Sequence, residues 1–189
     1  MKLRESGMPP IDYWEQLLDV PAILDAFGFN AQTGDVTELG CGYGTFTVPL
    51  AQRIGGTVHT LDIDASMVAL TAQRAGEAGL TNVKAETRDV LVGGFGLLAG
   101  SCEAALLFNI LHAEEPVSLL RAAGEVVRPG GLVAIIHWRS DVATPRGPSL
   151  EIRPRPEHIV AWAARAGLSA EGDAFLLPPW HFGVKLRRA

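Results

Sequence analysis

Three glycines at alternate positions, Gly40, Gly42 and Gly44, follow a short apolar run in the stretch VTELGCGYGTF, and Glu38 stands just before them. A glycine-rich turn leaving a strand lets the backbone approach a nucleotide closely. A dinucleotide turn reads G-x-G-x-x-G and meets a pyrophosphate at the N-terminus of the next helix. Here the third glycine comes one residue early and Thr45 fills the sixth position. A phosphate loop would need Gly-Lys and then Ser or Thr, which is absent. A carboxylate at such a turn repels pyrophosphate and attracts a cation. The pattern suits a cationic nucleoside without phosphate, and S-adenosylmethionine, with an ammonium and a sulfonium, has that charge.

Two more acids sit at strand ends. Asp62, followed by Ile63, closes a second apolar run twenty residues after Gly42, where an acidic side chain accepts bonds from ribose hydroxyls. Asp89 follows a third strand and precedes Val90 and Leu91; a carboxylate there suits the adenine amino group, with an aliphatic neighbour packed on the ring. Plainer roles stay open: Asp62 or Asp64 as the N-cap of the next helix, and Asp89 as a residue that turns the chain.

Histidine and arginine supply the other candidates. His112 lies three residues past Asn109. It titrates in an accessible range, so it is the candidate general base for an acceptor that must lose a proton; a loop histidine bonded to backbone is the alternative. His137, within an apolar run, reads as a core residue. The segment 137–158 carries Arg139, Arg146, Arg153 and Arg155 among four prolines. Arginine suits carboxylate or phosphate recognition. Arg139 and Arg146, nearest the preceding strand, are the expected contacts to an anionic acceptor, with Arg153 and Arg155 facing solvent; a solvated connector is the alternative. Trp14, Trp138, Trp180 and His181 are candidate walls of the same pocket. Cys41 and Cys102 are too few for a disulfide framework or a zinc site, and no metal is expected.

The elements that must position these residues alternate. Strands are expected near 35–39, 55–64, 82–87, 102–111 and 132–138, and late strands near 169–176 and 181–187. Helices are expected at 45–53, 65–80, from Pro116, and at 156–166, after a helical lead in residues 1–30 that Pro21 divides. The glycine-rich stretch VGGFGLLAG reads as a loop. Alternating strands and helices argue an α/β, doubly wound, mostly parallel sheet in one domain. Its ligands bind beyond the carboxyl ends of the strands, where the strand order switches. Residues 35–138 form the expected cofactor-binding core, and 139–189 the substrate-side loop, helix and closing strands.

The 189 residues suffice for one core, and the net charge of −5 shows no basic stripe of a nucleic-acid binder. No apolar run reaches the ~20 residues that span a bilayer, and the first residues lack the apolar centre of a signal peptide, so a cytoplasmic protein is expected.

The segments VTELGCGYGTF, VHTLDIDASM, RDV, LLFNILHAEEP and VVRPGGLVAIIHW resemble, in that order, the successive motifs of class I S-adenosylmethionine-dependent methyltransferases. They are most similar to the small-molecule branch that includes ubiquinone and menaquinone biosynthesis methyltransferases. The resemblance covers residues 35–138 well and the C-terminal strands more loosely. It implies a Rossmann-like sheet of seven strands with the last antiparallel. It also implies that Glu38 and the Gly40–Gly44 turn lie at the methionine end of the cofactor, Asp62 on the ribose, Asp89 by the adenine, and Asn109 near the methionine moiety or the methyl group. The implied activity is methylation of a small molecule, leaving S-adenosylhomocysteine. The chain departs from the Asn-Pro-Pro-Tyr pattern of amide and base methylation, from the cysteine set of arsenite methylation, and from the histidine–aspartate pattern of catechol-type enzymes. The fold hosts many acceptors and names none. The alternatives are a non-catalytic cofactor-binding or interaction protein of the same fold and, more remotely, a nucleotide-dependent oxidoreductase.

Overall fold

Five strands, β1 (Val36–Leu39), β2 (Val58–Asp62), β3 (Val83–Thr87), β4 (Cys102–Phe108) and β5 (Val127–Trp138), run parallel in a sheet whose later members are β6 (Leu168–Ala170), β7 (Phe175–Leu177) and β8 (His181–Arg188). The order is β3-β2-β1-β4-β5-β8-β6, with β7 also paired to β8, and β8 runs antiparallel to each of its neighbours. These facts come from a computed structural model that describes residues 7–189; Met1–Ser6, the start of the expected N-terminal lead, lie outside the described residues. Strand order reverses between β1 and β4, which places the ligand crevice of such a sheet at their carboxyl ends.

Both faces of the sheet are covered. Ala104, Leu106 and Phe108 of β4 and Leu132, Ala134 and Ile136 of β5 join one apolar cluster, whereas Ala105, Leu107, Val133 and Ile135 join the other. This alternation is the period of two expected for strands buried on both sides. Helices α2 (Val20–Phe27), α3 (Thr47–Arg53) and α4 (Ala65–Glu77) pack on the first face, with the short α1 (Ile11–Glu15) before them. Helices α5 (Val90–Gly93), α6 (Pro116–Val126) and α7 (Pro156–Arg165) pack on the second. Among the described residues no helix is long and apolar enough to cross a membrane.

Local chemistry explains most boundaries. The Asp19 side chain accepts from the Ala22 N–H at 3.1 Å, Pro21 falls in the first turn of α2, and Gly28, at φ 83°, ends it. Pro21 therefore opens a second helix. Pro49 likewise falls in the first turn of α3, which begins at Thr47.

Three expectations need correction. The stretch expected as one strand near 169–176 is broken where Gly172 adopts φ 71°, giving β6 and β7 and a total of eight strands. The glycine-rich loop after β3 opens with one helical turn, α5, because the Asp89 carboxylate caps it by accepting from Leu91 N–H at 3.0 Å. Strand β5 starts at Val127 and runs through the RPGG stretch, with a register shift against β4 between Cys102 and Ala104. Gly131 permits that path, since a Cβ there would sit 2.7 Å from the Glu103 carbonyl oxygen and 2.8 Å from that of Arg128.

A second glycine fixes how β1 and β2 are presented. Gly56, just before β2, lies so close to the segment entering β1 that a Cβ would overlap the Gly34 carbonyl group. Gly56→Ala is expected to destabilise the chain by about 1–3 kcal/mol or more, measured as a lower urea midpoint than wild type. An unchanged midpoint would contradict this packing.

Candidate active site

A cavity of about 420 Å³ opens at the switch point. Its wall comes from the ends of five strands in turn: Gly40, Cys41 and Gly42 after β1, Asp62 and Ile63 after β2, Arg88, Asp89 and Val90 after β3, Phe108, Asn109 and His112 after β4, and Trp138 at the end of β5. Gly7, Met8, Trp14, Phe46, Arg146 and Gly147 border it from the first face and from the loop after β5.

The turn is shaped by glycines with positive φ. Gly42 has φ 49° and Gly44 has φ 74°, where a Cβ would meet Thr71 at 3.2 Å. Asp62 braces the turn from the neighbouring strand: its Oδ2 accepts from Gly42 N–H at 3.1 Å and its Oδ1 from Asp64 N–H at 3.0 Å. The N-cap of α4 is Asp64, which accepts from Ser66 N–H at 2.8 Å. Asp62 is therefore not the helix cap, and it lies in the cavity wall. Asp89 caps α5 and also lines the cavity.

Glu38 stands elsewhere than expected. Its side chain points into the first-face layer behind the turn, 2% exposed, and is absent from the cavity wall. One oxygen, Oε2, accepts from Thr47 at 2.5 Å and from Thr60 at 2.7 Å. Burial pushes its carboxyl up from the usual 4.5 to about 7, against the pull of the two threonine hydroxyls. It is thus not the fixed, ligand-facing anion that its place before the glycines suggests.

Asn109 holds φ 58°, a left-handed conformation that asparagine tolerates better than most residues. Its Nδ2 lies 3.4 Å from His181 Nε2, and its buried Oδ1 has no hydrogen-bond partner among the described residues. His112 is buried at the cavity wall with Nδ1 3.4 Å from Nε2 of the wholly buried His137. Trp14 and Trp138 meet edge to face, with centroids 6.4 Å apart. His181 lies under Trp138 at 4.1 Å, and burial, then the Arg153 charge, pushes it down to about 3. Trp180 packs against the core and is not in the cavity wall.

The arginine loop reverses two expectations. Arg139 turns from the cavity and holds Asp141 through two bonds of 2.9 and 2.7 Å. Arg153, expected in solvent, is 8% exposed and binds the carbonyls of Pro148 and Arg139 and the Thr144 hydroxyl. Arg146 lines the cavity and donates to the Gly7 carbonyl at 2.9 Å. Arg155 stays outside as the exposed N-cap of α7.

The buried carboxyl has a consequence for stability. In the folded chain Glu38 keeps its proton up to pH about 7, whereas the unfolded chain releases it near 4.5. Between these values the unfolded state binds fewer protons, so stability falls as pH rises from about 4.5 to about 7, by up to roughly 3 kcal/mol from this group. Glu38→Gln retains one oxygen for both threonines and removes the titration. Its urea-unfolding free energy should lack this decline, and identical pH slopes in variant and wild type would show that the carboxyl is not held neutral.

Comparison with known proteins fits this geometry. Residues 36–131 match the family described as a methyltransferase domain. The chain is 30% identical over 110 residues to aklanonic acid methyltransferase DauC of Streptomyces sp. (strain C5), covering 54% of this chain and 47% of that protein. It is 40% identical over 103 residues to trans-aconitate 2-methyltransferase of Deinococcus radiodurans, covering 53% and 36%. The chain thus spans about half the length, or less, of these two relatives. A crystal structure of a SAM dependent methyltransferase from Aquifex aeolicus superposes with a TM-score of 0.83 at 22% identity, over 95% of this chain and 94% of that one, and shows the same fold. With the family matched over half of its length, from β1 into β5, the chain belongs to the methyltransferase domain family.

Proposed function

We propose that the chain is an S-adenosylmethionine-dependent methyltransferase acting on a small, anionic molecule. The observation that carries this reading is the single cavity wall at the switch point, to which the positive-φ glycine turn, Asp62, Asp89 and Asn109 all contribute. The two carboxylates are acceptors, and the turn itself offers no cationic side chain for a pyrophosphate. They fit a ligand rich in donors, with ribose hydroxyls, an amino group and an ammonium.

In this reading Asp62 takes the ribose hydroxyls while still bracing Gly42. Asp89 takes the adenine amino group, and Ile63 and Val90 pack on the base. Asn109 and the Gly40–Gly44 backbone lie at the methionine end, with Glu38 behind them as a titratable reserve of negative charge. When bound, the cofactor supplies a methyl group activated on sulfur for in-line displacement. The chain's part is to orient the acceptor and exclude water. Phe46, Phe108, Trp14 and Trp138 supply the apolar walls for that, and Arg146 supplies a cation for an acceptor carboxylate or phosphate. The net charge of −5 argues against a nucleic-acid substrate, and two buried, unpaired cysteines suit the reducing cytoplasm.

Calorimetric titration tests the cofactor. S-adenosylhomocysteine is expected to bind in the micromolar range, about −8 kcal/mol, and NAD not at all; the reverse would refute the reading. Asp62→Ala should weaken that binding by about 1.5–3 kcal/mol. Once an acceptor is found, Arg146→Ala should raise KM roughly tenfold with cofactor affinity unchanged. Arg155→Ala, an exposed residue, should leave both as they were. Equal kinetics in the two variants would remove Arg146 from the acceptor site.

A further inference from the structure

Residues 7–15 cross the cavity as a strap with light packing of its own. Gly7, Met8 and Trp14 line the cavity, and Met8 is also 42% exposed, so solvent lies on its other side. Helix α1 has five residues, no side-chain cap and no buried residue. Firm anchorage begins beyond it, at the buried Leu17 and Leu18, and α2 then buries Val20, Ile23, Leu24 and Phe27. A segment so lightly packed opens at lower cost than the body of the fold.

Polar contacts from the surrounding elements hold the strap down. The Tyr43 hydroxyl donates to the Pro9 carbonyl at 2.8 Å, Arg146 Nη2 to the Gly7 carbonyl at 2.9 Å, and Arg74 Nη2 pairs with Glu15 Oε1 at 2.8 Å. Arg74 has a second grip, because its Nη1 donates to the Tyr43 carbonyl at 2.5 Å. From α4, one guanidinium thus holds both the glycine turn and the strap, and the Tyr43 side chain closes the circuit at Pro9. The strap also rests on the turn directly, since a Cβ on Gly42 would sit 3.2 Å from Met8 Cε. The side chains of the Arg74–Glu15 pair are 28% and 38% exposed. Pairs of this kind are weak and screened by salt, which suits a contact that must break and re-form.

We propose that residues 7–15 are the gate of the cavity and that Arg74 is the positioning residue that latches it, so that a bound cofactor and a closed strap stabilise each other. This rests on the methyl-transfer reading above and adds an order of events to it. The turn, Asp62 and Asp89 form their part of the wall without the strap, whereas Gly7, Met8 and Trp14 join the wall only when the strap is down. A ligand in the cavity touches those three residues in the closed state alone. It therefore favours closure by just those contacts, and closure in turn slows its release. Cofactor binding thus precedes completion of the wall that Trp14 forms with Trp138, where the acceptor would sit.

Hydrogen–deuterium exchange of the ligand-free chain is the first test. Amides of residues 11–18 should exchange about 100-fold or more faster than those of β4. Arg74→Met should speed them about tenfold further, and Glu15→Ala about two- to fivefold, with α2 and β4 unchanged. The unchanged α2 and β4 show that each variant is folded; should Arg74→Met fail there, Glu15→Ala decides from the strap side. Exchange at 11–18 as slow as in β4, or unmoved by loss of the pair, overturns the latch. The second test adds S-adenosylhomocysteine. At saturation it should slow exchange at 11–18 about tenfold, and in Arg74→Met its dissociation rate should rise about tenfold with the association rate no lower than wild type, a split that general loss of stability would not produce. Binding that leaves 11–18 exchanging as before overturns the gate while sparing the methyl-transfer reading. Absence of binding sinks that reading, and the ligand-free exchange still decides the latch.

Discussion

The geometry of the cavity depends on one oxygen atom. Glu38 Oε2 receives hydroxyls from Thr47, the first residue of α3, and Thr60, on β2, while Glu38 itself belongs to β1. The glycine turn runs between β1 and α3, so both of its ends are tied to the same carboxyl. Asp62, two residues after Thr60, then braces the turn's middle through Gly42 N–H. A chain of three or four hydrogen bonds thus converts a flexible glycine run into a fixed wall. Low local dielectric strengthens each link and makes an incomplete network costly, which is why a carboxyl in this place accepts two hydroxyls on one atom.

The wall divides its work between the two faces of the sheet. On the first face Trp14 and Trp138 give the cavity an apolar side, supported by Phe46 stacked edge to face on Phe108 at 4.8 Å. On the second face lie the histidines, His137 turned to the α6 side beneath the strand ends. Trp138 and His137 are neighbours in sequence, and the strand's pleat sends one to each side. The two properties a methyl acceptor would meet, an apolar flank and a polar tip, are thus set by adjacent residues of β5.

Local signals made much of this legible. Acids at the ends of β2 and β3, glycines after β1, and Pro116 and Pro156 opening helices are each encoded within a few residues, and the sheet follows from their alternation. What was not legible depended on direction or distance. In a four-residue strand buried on both faces no apolar period shows which way Glu38 points. His112 and His137 are 25 positions apart and meet only because β4 and β5 pair in parallel. Their signal in the sequence was a histidine inside an otherwise apolar strand, which by itself reads as a core residue. The arginines of 139–155 sit in a segment without periodicity, so nearness to β5 in sequence was a poor guide: Arg139 pairs outward with Asp141 while Arg153, farther along, turns inward.

Arg153 also bears on how this scaffold accommodates change. Its guanidinium grips the carbonyls of Arg139 and Pro148 and the Thr144 hydroxyl, so the segment between them is held largely by backbone atoms that most residue types supply. Most side chains of that segment at 140–147 are then open to replacement without loosening its path; the exceptions are Thr144, whose hydroxyl Arg153 holds, and Gly147, where a Cβ would press on Trp138 and on the Arg153 guanidinium. The rim of the cavity is in that sense an exchangeable cassette clipped into a fixed socket. Variation or laboratory recombination confined to it would alter which molecules enter while sparing the wall formed by the glycine turn, Asp62 and Asp89.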